Sequence, residues 1–182
     1  MNGSPSTVVD QLHQDFVGLL SVLDDVGEVS LRTVADENFR KSLLLAAASY
    51  FERRMTETVL MFVEEATNRN KLVAELVRNK AVSRQYHTWF QWDQNNANSF
   101  YRLFGSDFLA FMKHKIVEDR LEDAVRAFLE LGRDRNRLVH QDYGVFVLEK
   151  TTEEIHELYC RARDFVETVP GALREYDSGQ AT

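Results

Sequence analysis

Residues 36–66 read DENFRKSLLLAAASYFERRMTETVLMFVEEA, and this stretch decides the fold. Leu44, Ala48, Phe51, Met55, Val59, Phe62 and Ala66 recur at three- and four-residue spacing, the period of one helical face rather than the alternation of a strand. The only prolines are Pro5 and Pro170, so nothing between them breaks a helix. At about 1.5 Å per residue, a helix starting near Asp36 would run on the order of 45 Å, the central column of a bundle.

On its N-terminal side, Val8, Leu12, Phe16, Leu19, Leu20 and Leu23 form a second apolar stripe after Ser6, with Gly27 as its stop. On the other side, Asn70 suits the cap of a shorter helix carrying Leu72, Leu76 and Val77. The texture changes between Trp89 and Gly105, where Trp89, Phe90, Trp92, Phe100, Tyr101 and Phe104 surround the polar run from Asp93 to Asn98. This region reads as a turn at 93–96, a short helix to Phe104 and an end at Gly105. Exposed rings could stack on bases, but six in so short a stretch favour burial as a cap on the bundle.

Ser106-Asp107 restarts helix, with Phe108, Phe111, Met112 and Ile116, then, after a bend, Leu121, Val125, Phe128 and Leu129. Tyr143-Gly144 ends it. Val145-Phe146-Val147-Leu148 reads as an extended connector too short to make a sheet. Thr151-Thr152-Glu153-Glu154 is a capping-box signal for a last helix, whose stripe of Ile155, Leu158, Tyr159, Ala162, Phe165 and Val166 is expected to stop at Pro170. The expectation is an all-α bundle of four to five long helices with short additional ones, a single domain over residues 1–176, and a disordered tail at 177–182.

Composition narrows the function. Of the 182 residues 44% are apolar, enough for a core that needs no staples. A lone cysteine, Cys160, allows no internal disulfide and points to a reducing, cytoplasmic compartment. No basic leader and no run of about 20 apolar residues marks secretion or a membrane. A net charge of −7 argues against a protein that coats nucleic acid through a uniformly basic surface. The charge is uneven, however. Residues 69–84 hold five bases against Glu75, whereas residues 142–182 hold nine acids and four bases. Each run also reads simply as a solvated helix face. No cofactor and no metal site is expected. His87, His114 and His156 lack carboxylate or thiol partners at ligand spacing, His13 sits singly on the first helix, and no phosphate-cradling glycine loop or serine nucleophile motif occurs.

One run carries chemistry: Arg133-Asp134-Arg135-Asn136-Arg137-Leu138-Val139-His140. Guanidinium binds phosphate bidentately and stays charged, while imidazole moves protons near neutral pH. With about 100° per residue, Arg133 and His140 lie within about 20° of one another, flanked by Asn136 and Arg137, while Arg135 stands about 140° from His140. Leu138 and Val139 are expected to face inward. The same arginines also suit the negative end of a helix dipole with no catalytic role.

Arg135-Asn136-Arg137-Leu138-Val139-His140 resembles the Arg-polar-x3-His core of the HEPN superfamily (higher eukaryotes and prokaryotes nucleotide-binding), in which the motif closes a long helix of an all-α domain. Trp89-Phe90-Gln91-Trp92-Asp93 with the segment from Asn95 to Gly105 is similar to its RiboL-PSP group, and the resemblance spans about residues 36–170. It implies a homodimer that brings two motifs into one cleft, and metal-independent endoribonuclease activity of the kind used by toxins and antiviral-defence effectors. By the resemblance, His140 acts as general base or acid on a ribose 2′-hydroxyl, Arg135 stabilises charge on the phosphate, and Asn136 orients either partner. Arg133 and Arg137 would contact substrate, Tyr143 would stack on a base, and Glu52 would pair with Arg135 to orient it. By the same resemblance, an antitoxin or a defence-system protein is a candidate partner. Two rival readings stand beside this one: a non-catalytic module binding RNA, nucleotide or a partner protein, and a regulator docking through the acidic C-terminal half.

Overall fold

The computed structural model describes residues 6–180, and every regular element among them is helical. The order is α1 (Val8–Asp25), α2 (Val29–Ala66), α3 (Lys71–Val77) leading into a π-helical turn (Arg78–Val82), α4 (Tyr86–Trp89), α5 (Asn98–Arg102), α6 (Ser106–Glu118), α7 (Glu122–His140) and α8 (Thr152–Gln180). Five of these, α1, α2, α6, α7 and α8, are 13 residues or longer, as expected for an all-α bundle. The chain divides into two compact units, the first from the N-terminal side to Tyr50 with Leu131–Cys160, the second Phe51–Glu130 with Arg161 onward. Helices α2, α7 and α8 each contribute residues to both.

In the first unit, the Thr7 side chain caps α1 by accepting from the Asp10 amide, and Asp10 returns the bond to the Thr7 amide at 2.8 Å. Only Val9 and Phe16 of α1 are fully buried. Phe16 stacks on Phe39 with centroids 3.7 Å apart, and the Tyr50 ring meets Tyr159 edge-on at 5.6 Å. The expected α1 stripe is therefore narrower than its sequence period suggested: Val8 is 65% exposed and Leu19 faces solvent too. Gly27, with φ of 72°, ends α1 as expected, the following amide of Glu28 returning to the Leu23 carbonyl at 2.9 Å. The next helix begins at Val29, earlier than the Asp36 start read from the sequence.

In the second unit, the aromatic segment is buried as expected. Trp89, Phe90, Phe100 and Tyr101 are inaccessible, and Phe90 touches both Phe100 and Phe128. Trp89 Nε1 donates to the Ala81 carbonyl at 3.0 Å and Trp92 Nε1 to the His87 carbonyl at 2.9 Å, so the buried Trp89 and the half-buried Trp92 each satisfy their one donor. Gly105 takes φ of 105° between α5 and α6, a conformation in which a side chain is strained. Asn70 caps α3 through the amides of Leu72 and Val73, but the expected stripe there fails: Leu72 is 84% exposed, and Ala74 is the residue that packs.

The capping box opening α8 is present, with Thr151 and Glu154 exchanging hydrogen bonds at 2.8 and 3.2 Å. The helix does not stop at Pro170. It continues to Gln180, through the 177–180 stretch read as the start of a tail; residues 181 and 182 lie outside the described residues. A proline inside a helix removes one amide donor and costs about 3 kcal/mol. Here Val166, Val169, Ala172 and Leu173 are all buried on its two sides, at roughly 1.5–3 kcal/mol for each large side chain, which outweighs that cost.

Candidate functional site

The last turns of α7 hold the arginine and histidine run. Leu131, Asp134 and Leu138 form its buried line, which turns Arg137, Val139 and His140 to solvent and leaves Arg133, Arg135 and Asn136 half-buried at the edges. Val139 is thus 45% exposed, not inward-facing: only one of two adjacent helical residues can share the line of Leu131 and Leu138. The Arg135 guanidinium donates to Asn136 Oδ1 at 3.2 Å, joining two of the expected site residues. Arg137 lies over the Phe146 ring at 5.8 Å, with its guanidinium 4.0 Å from Asp134 Oδ1. The His140 side chain is exposed at the last position of α7.

Residues 141–151 leave α7 as a non-helical connector, with Phe146 and Leu148 buried and Val145 and Val147 exposed, the alternation of extended chain. No backbone ladder holds it. Two adjacent cations on α2 do so instead. Lys41, only 3% exposed, donates to the Tyr143 carbonyl at 2.8 Å and lies over the Tyr143 ring at 4.8 Å. Arg40 donates to the Leu148 carbonyl at 3.0 Å and pairs with Asp36 at 3.3 Å. Tyr143 is thereby fixed beside the motif with its ring partly in solvent. At the far end of the connector, Lys150 reaches back to Asp134 Oδ2 at 2.7 Å, satisfying a carboxylate only 4% exposed.

Arg40, Lys41, Asp134 and Lys150 were not singled out from the sequence. A signal did exist for two of them. Lys41 falls on the face of Leu44 and Ala48, and Asp134 on the face of Leu131 and Leu138; a charge on an apolar line demands a buried partner. Glu52 is half-buried on α2 and belongs to the second unit, whereas residues 133–143 belong to the first.

A second group of polar side chains lies between α1 and α8. His156 Nε2 is 2.9 Å from Asp10 Oδ1, Cys160 Sγ is 3.9 Å from the His156 ring nitrogens, and the His13 ring stacks on His156 with centroids 4.0 Å apart. Burial, and secondarily the neighbouring His156, holds the His13 pKa below its ordinary value, against the opposite pull of Glu153 and Asp10. The reading of His156 as isolated from carboxylate and thiol, and of His13 as single, is therefore corrected: Asp10 reaches His156 across 146 positions of sequence, a proximity no local spacing encodes.

Among the described residues, no helix is long and apolar enough to cross a membrane. No curated protein and no solved structure matches the chain. The family model described as RiboL-PSP-HEPN matches residues 14–175, from α1 into the last turns of α8 and across both units. With the motif closing α7 of an all-α chain, the protein belongs to the RiboL-PSP-HEPN family.

Proposed function

We propose that the protein is a metal-independent endoribonuclease, a toxin or antiviral-defence effector working in the cytoplasm, whose cleavage site forms when two copies pair. The observation carrying this reading is the end of α7, where an exposed His140 follows three guanidiniums and Arg135 is bonded to Asn136. Arg135 and His140 lie about 140° apart around one helix, so a second copy is needed to aim both groups at one phosphate.

His140 takes the proton of a ribose 2′-hydroxyl, and the 2′-oxygen attacks the adjacent phosphorus. The bond to the 5′-oxygen breaks, and that oxygen leaves with a proton from the imidazolium of His140 in the second copy, which becomes neutral imidazole. The products are a 2′,3′-cyclic phosphate and a 5′-hydroxyl. Arg135 neutralises charge gathering on the non-bridging oxygens, with Asn136 fixing its orientation. Arg133 and Arg137 hold flanking phosphates, and Tyr143, steadied by Lys41, offers a ring to a base.

The Arg135–Asn136 bond also suits a non-catalytic module that binds RNA, nucleotide or a partner protein, because it engages the guanidinium within the chain. Incubating the purified chain with mixed RNA, with and without chelator, separates the two. Cleavage that survives chelation and leaves cyclic phosphate ends supports the nuclease, and binding without products supports the module. A strict monomer at micromolar concentration that still cleaves removes the paired-copy site.

A further inference from the structure

The group between α1 and α8 has a composition and geometry that RNA cleavage at the end of α7 does not use. Asp10 and His13 stand three apart on α1, His156 and Cys160 four apart on α8, so each helix presents two donor groups on one face. One ligand atom from each of Asp10, His156 and Cys160 lies within 4.8 Å of the others. Tetrahedral zinc with bonds of about 2.0–2.3 Å sets its ligands roughly 3.3–3.8 Å apart. The Asp10–His156 separation of 2.9 Å would open slightly, and the Cys160–His156 separation of 3.9 Å is already close to that range. Side-chain rotation suffices for both.

The surroundings orient the donors. Asp10 Oδ2 accepts from the Thr7 amide at 2.8 Å and from the Thr7 hydroxyl at 2.9 Å, which turns Oδ1 toward His156. The Thr7 hydroxyl in turn meets the Tyr159 hydroxyl at 2.7 Å. Such outer hydrogen bonds are what fix a ligating carboxylate. His13 Nε2 is shut off from solvent and has no hydrogen-bond partner, but its ring lies parallel to His156 at 4.0 Å, so it covers the site rather than converging on it with the other three donors.

A thiol nucleophile activated by histidine and aspartate is the competing chemistry. As placed, Cys160 Sγ is equidistant, at 3.9 Å, from both His156 nitrogens and lies along neither nitrogen's lone pair, so a proton transfer would need a side-chain rotation, as ligation does. A mixed set of thiolate, imidazole and carboxylate instead suits a borderline divalent ion. We infer that Asp10, His156 and Cys160 bind a zinc-type ion that ties α1 to α8 within the first unit.

The test uses the full chain, stripped with chelator and titrated with cobalt(II). The expected result is one cobalt per chain, with visible bands of tetrahedral strength and a near-ultraviolet thiolate-to-cobalt band, all displaced by zinc. Cys160→Ser should lose the thiolate band and Asp10→Asn should bind at least tenfold more weakly, with helical circular dichroism unchanged in each. Should either variant fail to fold, zinc protection of Cys160 from alkylation in the unaltered chain tests the same ligation. A cobalt spectrum without the thiolate band, or alkylation at one rate with and without zinc, overturns the site. Neither outcome bears on RNA cleavage.

Discussion

The Lys41 ammonium donates to the main-chain carbonyl of Tyr143 at 2.8 Å and also covers the ring of the same tyrosine at 4.8 Å. One buried cation thus fixes both the backbone and the side chain of the residue three positions beyond His140. A charged hydrogen bond of this kind contributes about 1.5–3 kcal/mol. Lys41→Met is expected to lower the melting temperature by several degrees, at roughly 2–4 °C per kcal/mol for a chain of this size. It should also weaken RNA binding, as Tyr143 loses its fixed position. Scanning calorimetry and a binding titration check the two effects, and an unchanged melting temperature would show that Lys41 contributes no net stability.

The His140 side chain is exposed, so His140→Ala should leave stability within about 0.5 kcal/mol of the parent. The same change should cut RNA cleavage about 10²–10⁴-fold. Arg135→Lys, which keeps the charge but loses the planar fork, should lower cleavage, because a single ammonium does not replace two parallel donors. Gel-based cleavage rates read beside thermal melts separate chemistry from folding; full turnover by a folded His140→Ala protein sinks the assignment.

Asp134 and Lys150 are joined at 2.7 Å across the connector, and the carboxylate is almost wholly buried. Removing Lys150 alone takes away the near partner of a buried carboxylate, leaving Arg137 at 4.0 Å, whereas removing both members of the pair leaves no buried charge to compensate. Asp134→Asn and Lys150→Met should each destabilise, and the double variant should lose less than the sum, with a coupling of about 1–3 kcal/mol. Urea unfolding of the four proteins measures it. Strict additivity would mean that the two groups do not interact in solution.

Gly105 holds φ of 105° between α5 and α6, and a Cβ added there meets nothing within 4 Å. The penalty for Gly105→Ala is therefore conformational rather than steric crowding, of order 1–3 kcal/mol. Denaturant unfolding should show that loss, with RNA cleavage at low temperature unaffected.

The long column of α2 was legible because Leu44, Phe51, Met55 and Val59 keep one helical phase over many turns and all are buried. The motif helix and the capping box of α8 were legible for the same reason: their signals lie within a few residues. Val8, Leu19 and Leu72 show the limit. Apolar periodicity reveals that a helix has a greasy side, but not whether another element is present to cover it. Pro170 misled in the opposite direction, since a local rule against proline was overridden by tertiary burial on both sides. Cys160 and His156 were one turn apart in plain view, yet their meaning depended on Asp10, which only the packed chain brings near.

Arg40 and Lys41 are consecutive residues of one helical turn, and between them they hold both ends of the segment that follows His140. Fraying of that single turn would let go of both anchors at once. The segment from Tyr143 to Leu148 should then behave as one latch, its amides exchanging with deuterium together at a common rate, instead of loosening residue by residue from one end.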